Sequence, residues 1–191
     1  MRKSICGILL LVGVCGMAGV AAWGQQCVKP SLDVAVVYNL TLANPVANND
    51  FWLQGGSVQL HGQFWHGLGV VADLSGVHAA NMNHLKVGLD LITTTFGPRY
   101  TWTTPYHHTA LFGQFLVGDA NGLHSVFPSR TGYSDSAFGL ALLAGGGVNV
   151  PLKHNFTARA FEAEWLRTQL PNSTTGVQNN LRLGAGMAYR F

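Results

Sequence analysis

The sequence predicts an all-β chain, an eight-stranded antiparallel up-and-down transmembrane β-barrel behind a cleaved signal peptide, with its polarity inverted relative to a soluble protein. Three observations predict it. The final stretch, Gln178 to Phe191, sorts by parity: Leu181, Leu183, Ala185, Met187, Tyr189 and Phe191 share one face, and Asn180, Arg182, Gly184, Gly186 and Arg190 share the other. A period of two is a strand. The 191 residues are 48% hydrophobic but only 10% charged, with 24 glycines, far less charge than soluble domains carry. After the N-terminal leader no run of about 18 apolar residues remains to cross a bilayer as a helix, and a closed sheet is the other structure that satisfies every backbone group in lipid.

The leader comes first. Arg2 and Lys3 precede an apolar run through Val20 and the small residues of Ala22-Trp23-Gly24, the layout of a secretory signal peptide cleaved after Gly24. Residues 1–24 are thus the signal peptide, and residues 25–191 one barrel domain without an internal repeat or boundary. Gln26 stands before Cys27 where a lipid-modified cysteine wants a small residue. Removing Arg2 and Lys3 takes the formal net charge from +3 to +1, which leaves no basic excess to attract nucleic acid. Cys6 and Cys15 go with the leader, so Cys27 is alone and neither an internal disulfide nor a cysteine zinc site can form.

The strands follow in order. Asp33 to Leu42 sets Val34, Val36, Tyr38, Leu40 and Leu42 against Ala35, Val37, Asn39 and Thr41, and the Asn/Pro-rich segment from Ala43 to Asp50 ends it. Ser57 to Trp65 opposes Val58, Leu60, Gly62 and Phe64 to Ser57, Gln59, His61 and Gln63; across a tight turn at His66-Gly67, Leu68 to Ser75 completes a hairpin. A polar loop around Val77 to His84 leads to a fourth strand, Val87 to Thr103, with Ile92, Phe96, Tyr100 and Trp102 opposite Arg99. Thr104-Pro105 turns into a fifth strand, His108 to Val117, and Gly118 to Asp135 reads as a long exposed loop. Ala137 to Val150 is the sixth strand and Phe156 to Arg167 the seventh, where Phe161, Ala163 and Trp165 oppose Glu162 and Glu164. The loop from Leu170 to Gln178 precedes the closing strand. Eight is an even number and the minimum for a transmembrane barrel.

On these parities His61, Asp73, Arg99, Gln114, Glu162, Glu164, Arg182 and Arg190 fall inside, with Gln59 and Gln63. Charge in a narrow lumen is costly unless paired, so the expectation is an interlocking network that plugs the interior. A gated pore lined by the same groups is the competing reading, although eight strands enclose a space that side chains fill. The two glycines on the inner face of the last strand are read as room for the arginines. Trp52, Trp65, Tyr100, Trp102, Trp165, Tyr189 and Phe191 lie near strand ends, where aromatic girdles form.

Other chemistry finds little support. His107 and His108 are adjacent and point to opposite faces, and His61, His66, His78, His84, His124 and His154 are scattered without zinc-like spacing; no metal and no cofactor is expected. Ser129, Ser134, Ser136 and His124 in the long loop are the one cluster that could suggest a Ser/His hydrolase, but no lipid-facing Ser and His stand two apart on a strand. Gly67-Leu68-Gly69 with Asp90 mimics a dinucleotide fingerprint, yet the residues that follow alternate as a strand instead of opening a helix.

With the leader, the hairpins, FGPRYTW (96–102), EWLRTQLPN (164–172) and the terminal QNNLRLGAGMAYRF in view, the chain resembles the small OmpA-like outer-membrane β-barrels that lack a peptidoglycan-binding domain. The resemblance implies residence in the bacterial outer membrane among its lipids. It also implies periplasmic termini, short periplasmic turns, and outer loops near Ala43, His78, Asn121 and Asn172. Tyr189 and Phe191 would act as the C-terminal insertion signal read by the barrel-assembly machinery. The expected function is non-enzymatic: envelope integrity, or contact with an extracellular ligand through the loops. The alternative outside membranes is a secreted soluble barrel binding an apolar ligand, which would place its apolar residues inside.

Overall fold

The computed structural model describes residues 31–44, 51–80, 88–104, 109–129, 132–172 and 176–191. The leader, Cys27, His84, Pro105, His107 and His108 lie outside them. The strands are β1 (Ser31–Asn44), β2 (Phe51–Trp65), β3 (Leu68–Ala79), β4 (Leu89–Thr103), β5 (Ala110–Leu123), β6 (Phe127–Ser129), β7 (Gly132–Ser134), β8 (Ala137–Pro151), β9 (Phe156–Thr168) and β10 (Gln178–Arg190). Eight of them close into one antiparallel barrel in the order β1-β10-β9-β8-β5-β4-β3-β2, and β6 pairs with β7 as a separate hairpin. The closing seam runs from Asp33 opposite Arg190 to Asn44 opposite Asn179. One end carries the short turns at 66–67 and 152–155, together with the point where Thr104 donates to the Thr109 carbonyl at 2.8 Å, and the other carries the longest connections.

Polarity is inverted across the middle of the wall. Val36, Val58, Val70, Leu74, Phe96 and Phe115 each expose about half or more of their surface outward, while Arg182, Glu164, Glu162, Gln59 and Asp73 are buried inside. On β4 the outward run from Ile92 to Trp102 is apolar and aromatic apart from Thr94, about the length that crosses a bilayer as a tilted strand. The seven aromatics expected at strand ends all point outward.

Nearer the long-loop end the polarity reverts. Leu53, Val77, Leu91, Leu116, Leu143 and Leu166 face inward and pack into one apolar cluster with Phe127 and Leu170, whereas Gln54, His78, Asp90 and Asp119 face outward. This reversal corrects the predicted strand ends. Val77 and Ala79 continue β3 and face in, so the loop expected from Val77 begins later; β2 starts at Phe51 instead of Ser57, and β5 runs on to Leu123 instead of ending at Val117. A template with apolar side chains outside reads such ends as broken pattern. The segment from Gly118 to Asp135 is likewise not one exposed loop. Its hairpin β6-β7 turns Phe127 back over the barrel, 5% exposed, onto Gly122, where a Cβ would strike the ring.

Two strands carry one extra residue each. In β2, Gln63 pairs with Gly69 and Trp65 with Leu68. In β9, Val148 pairs with Phe161 and the next residue, Asn149, pairs with Arg159. The second bulge leaves both Ala160 and Phe161 outside and swings Arg159 inside. At the turn between β2 and β3, Gly67 has φ +91°, and a Cβ there would run into the Thr101 carbonyl; glycine alone suits this position.

Candidate functional site

Alternation aims one polar residue after another into the same mid-barrel layer: Gln59 from β2, Asp73 from β3, Arg99 from β4, Gln114 from β5, Glu162 and Glu164 from β9, and Arg182 from β10. Arg182 donates to both oxygens of Asp73, at 3.1 and 3.2 Å, and to Glu164 Oε2. Arg159 donates to Glu162 at 3.1 Å, to Asn149 at 3.2 Å and to Gln59 Oε1. Arg99 makes no carboxylate contact among the described residues; its Nε donates to Gln114 Oε1 at 2.7 Å and its Nη2 to the carbonyl oxygens of Gln59 and Gln114.

The two glutamines are the joints of the network. Each uses its carbonyl oxygen for arginine and its amide for glutamate: Gln59 Nε2 donates to Glu162 at 3.0 Å, and Gln114 Nε2 to Glu162 at 3.1 Å and to Glu164. An amide carries both a donor and an acceptor, so the two glutamines link Arg99 to glutamates that it does not touch directly. The guanidinium carbons of Arg99 and Arg159 lie 4.5 and 4.7 Å from the ring centre of Phe112, within cation–π range.

Glycine makes room here, at different positions from those expected. A Cβ on Gly145 of β8 would strike the Ala163 carbonyl and also the Glu164 side chain, and one on Gly147 the Phe161 carbonyl and also the Phe112 ring. Gly184 and Gly186 of β10 accommodate β1 instead of the arginines: their Cβ atoms would meet Val37 and Asn39, and the Val36 backbone.

Two predicted members stand apart from this layer. His61 Nδ1 lies 3.2 Å from Asp33 at the short-turn mouth. Arg190, expected inside, donates to the same carboxylate at 2.7 and 3.4 Å with its side chain 57% exposed. It is the last residue of β10, where the wall has ended and water reaches it. Arg159 and Phe112 are network members that the sequence reading missed, whereas Asn149 lies on the inward parity of its strand. Arg159 shares odd numbering with the outward Phe161 and Trp165, and a charged residue at such a position is itself the signal of a bulge.

Between the network and the short-turn end lies a cavity of about 690 Å³, lined by Arg99, Arg159, His61, Asp33, Arg190 and several hydroxyl and amide side chains. Toward the other end the apolar cluster around Leu53, Leu116 and Leu143 closes the interior, each of these at 0% exposure. On the outer rim Asp90 accepts a hydrogen bond on each oxygen, from His78 and from His124, so two histidines far apart in sequence do converge. Among the described residues no three His, Cys, Asp or Glu side chains form a metal-holding group. Ser134 donates to the Ser136 carbonyl at 2.9 Å.

No protein-family model matches the sequence, and no curated protein sequence is significantly similar to it. Solved structures are similar in fold. Neisserial surface protein A (NspA) superposes with a TM-score of 0.56 at 11% identity, over 87% of this chain and 100% of that one. Ail, the attachment invasion locus protein of Yersinia pestis, solved with the heparin analogue sucrose octasulfate, gives 0.52 at 17% identity, over 85% and 97%. With its closed sheet, apolar belt and polar mid-layer, the chain has the fold of the small eight-stranded outer-membrane barrels.

Proposed function

We propose that the protein is a non-enzymatic integral outer-membrane barrel with a sealed lumen. It serves envelope integrity or surface contact through the connections at its long-loop end, which faces the outside. The observation that carries this reading is the sequence of layers along the axis: an apolar belt on the outer wall, a neutral ion-pair layer inside it, and a dry apolar cluster toward the loops. An apolar belt is stable against acyl chains and costly against water. The apolar cluster leaves an ion no hydrated path, which favours a plug over a pore. The fold neighbours support a surface role by their names, one an attachment protein and one a surface protein.

Two measurements test the reading. The folded protein should stay with membranes through a carbonate wash and run faster on gels unheated than boiled. In planar bilayers it should show no steady conductance. Release by carbonate would sink the membrane assignment, and a stable conductance that shifts on Arg99 or Glu162 substitution would sink the plug.

A further inference from the structure

The charges of the mid-barrel layer are equal in number but unevenly placed. Arg182 holds two carboxylates, Asp73 and Glu164. On the cavity side Arg99 and Arg159 share one, Glu162, which only Arg159 touches. Arg99 is 2% exposed and in no ion pair among the described residues, an expensive state for a guanidinium.

The unspent hydrogen-bonding capacity points the same way. A guanidinium has five N–H donors. Among the described residues the Nη1 donors of Arg99 have no partner, and neither do the Nη2 donors of Arg159. Neither nitrogen is among the fully enclosed orphan atoms, and both residues line the cavity. The cavity is therefore lined by a pair of buried guanidiniums that share the Phe112 ring and keep N–H capacity without a partner among the described residues. Among the described residues the one carboxylate in the cavity wall, Asp33, is already engaged by Arg190 and His61. The remaining wall offers Ser31, Thr101, Thr103, Thr157, Gln63 and Asn149, groups that exchange hydrogen bonds with hydroxyls. At about 690 Å³ the space falls within the range of small-molecule sites.

We infer that this blind cavity binds a small hydroxylated solute carrying one carboxylate or phosphate group, with the oxyanion on Arg99 and Arg159 and the hydroxyls on the threonine-rich wall. The site goes beyond the proposed function and depends only on the barrel being folded. Two parallel N–H donors suit either oxyanion.

The test is calorimetric titration of the folded barrel in detergent with gluconate, glucose 6-phosphate and uncharged glucose. Gluconate, glucose 6-phosphate or both should bind saturably at about millimolar concentration, with glucose at least about tenfold weaker; which acid binds more tightly identifies the anion. Arg99→Gln should weaken acid binding about tenfold or more. Thr101→Trp, which fills the cavity without touching the ion-pair layer, should abolish it while leaving the heat-modifiable gel shift intact. If Arg99→Gln does not fold, the Thr101 variant carries the test. Equal binding of glucose, binding unchanged in Thr101→Trp, or no saturable binding of either acid by the folded wild type would overturn the assignment.

Discussion

Replacing Arg182 with methionine separates a buried ion-pair layer from a decorative one. Arg182 is 2% exposed and meets Asp73 through two N–H···O bonds and Glu164 through its Nε and Nη2. Methionine fills much of the volume and leaves two carboxylates in the lumen without their cation. Removing one partner of a buried pair typically costs about 3–5 kcal/mol, because the remaining charge stays desolvated. The same change at Arg190, whose side chain is 57% exposed beside Asp33, should cost under about 1 kcal/mol. The assay is equilibrium urea unfolding of the refolded barrel followed by tryptophan fluorescence. A third variant sharpens it. Arg182→Met combined with Asp73→Leu and Glu164→Met removes all three charges and should recover most of the loss, since an apolar replacement of similar volume is often neutral. A loss below about 1 kcal/mol for Arg182→Met alone, or a triple variant worse than the single, would refute the claim that these charges are desolvated and mutually dependent.

Three further outcomes follow from the same geometry. Deleting Ala160 removes the surplus residue of the β9 bulge while keeping Arg159 facing in, so the variant should fold; deleting Ala163 from the regular part reverses every side chain on one flank and should abolish the heat-modifiable gel shift. Leu143→Ala, at 0% exposure in the apolar cluster, should cost about 2–5 kcal/mol in the urea assay. At the outer rim, hydrogen bonds from His78 and then His124 hold the Asp90 carboxyl below its ordinary value; Asp90 precedes the apolar run that starts at Ile92. Because its folded value is the lower one, its stabilisation is complete above the usual carboxylate pKa and fades as pH falls through the depressed value. Asp90→Asn should flatten that part of the stability profile, read from urea midpoints between neutral and acidic pH.

The membrane belt was legible because a two-residue period needs no partner to be seen. Val58 against Gln59, Val70 against Asp73 and Leu183 against Arg182 each declare their face from neighbouring positions alone. The same rule failed wherever the environment of a face changed along one strand. Leu53 and Val77 point into an apolar interior toward the long-loop end, and an apolar side chain on the inner parity looks like the end of a strand until the opposite wall is in view. Parity also failed at Arg159, where one added residue shifts the count.

The one-dimensional pattern of this chain by itself determined the class of fold, the number of barrel strands and most of the charges inside, because alternating polarity is a local consequence of the pleat. Closure decided the rest. It set which arginine meets which carboxylate, brought Gln59 and Gln114 between cation and anion, gave Phe112 two guanidiniums, and left Arg99 facing an open cavity. Those relations join residues up to 157 positions apart, and their geometry depends on the register of every strand pair around the ring.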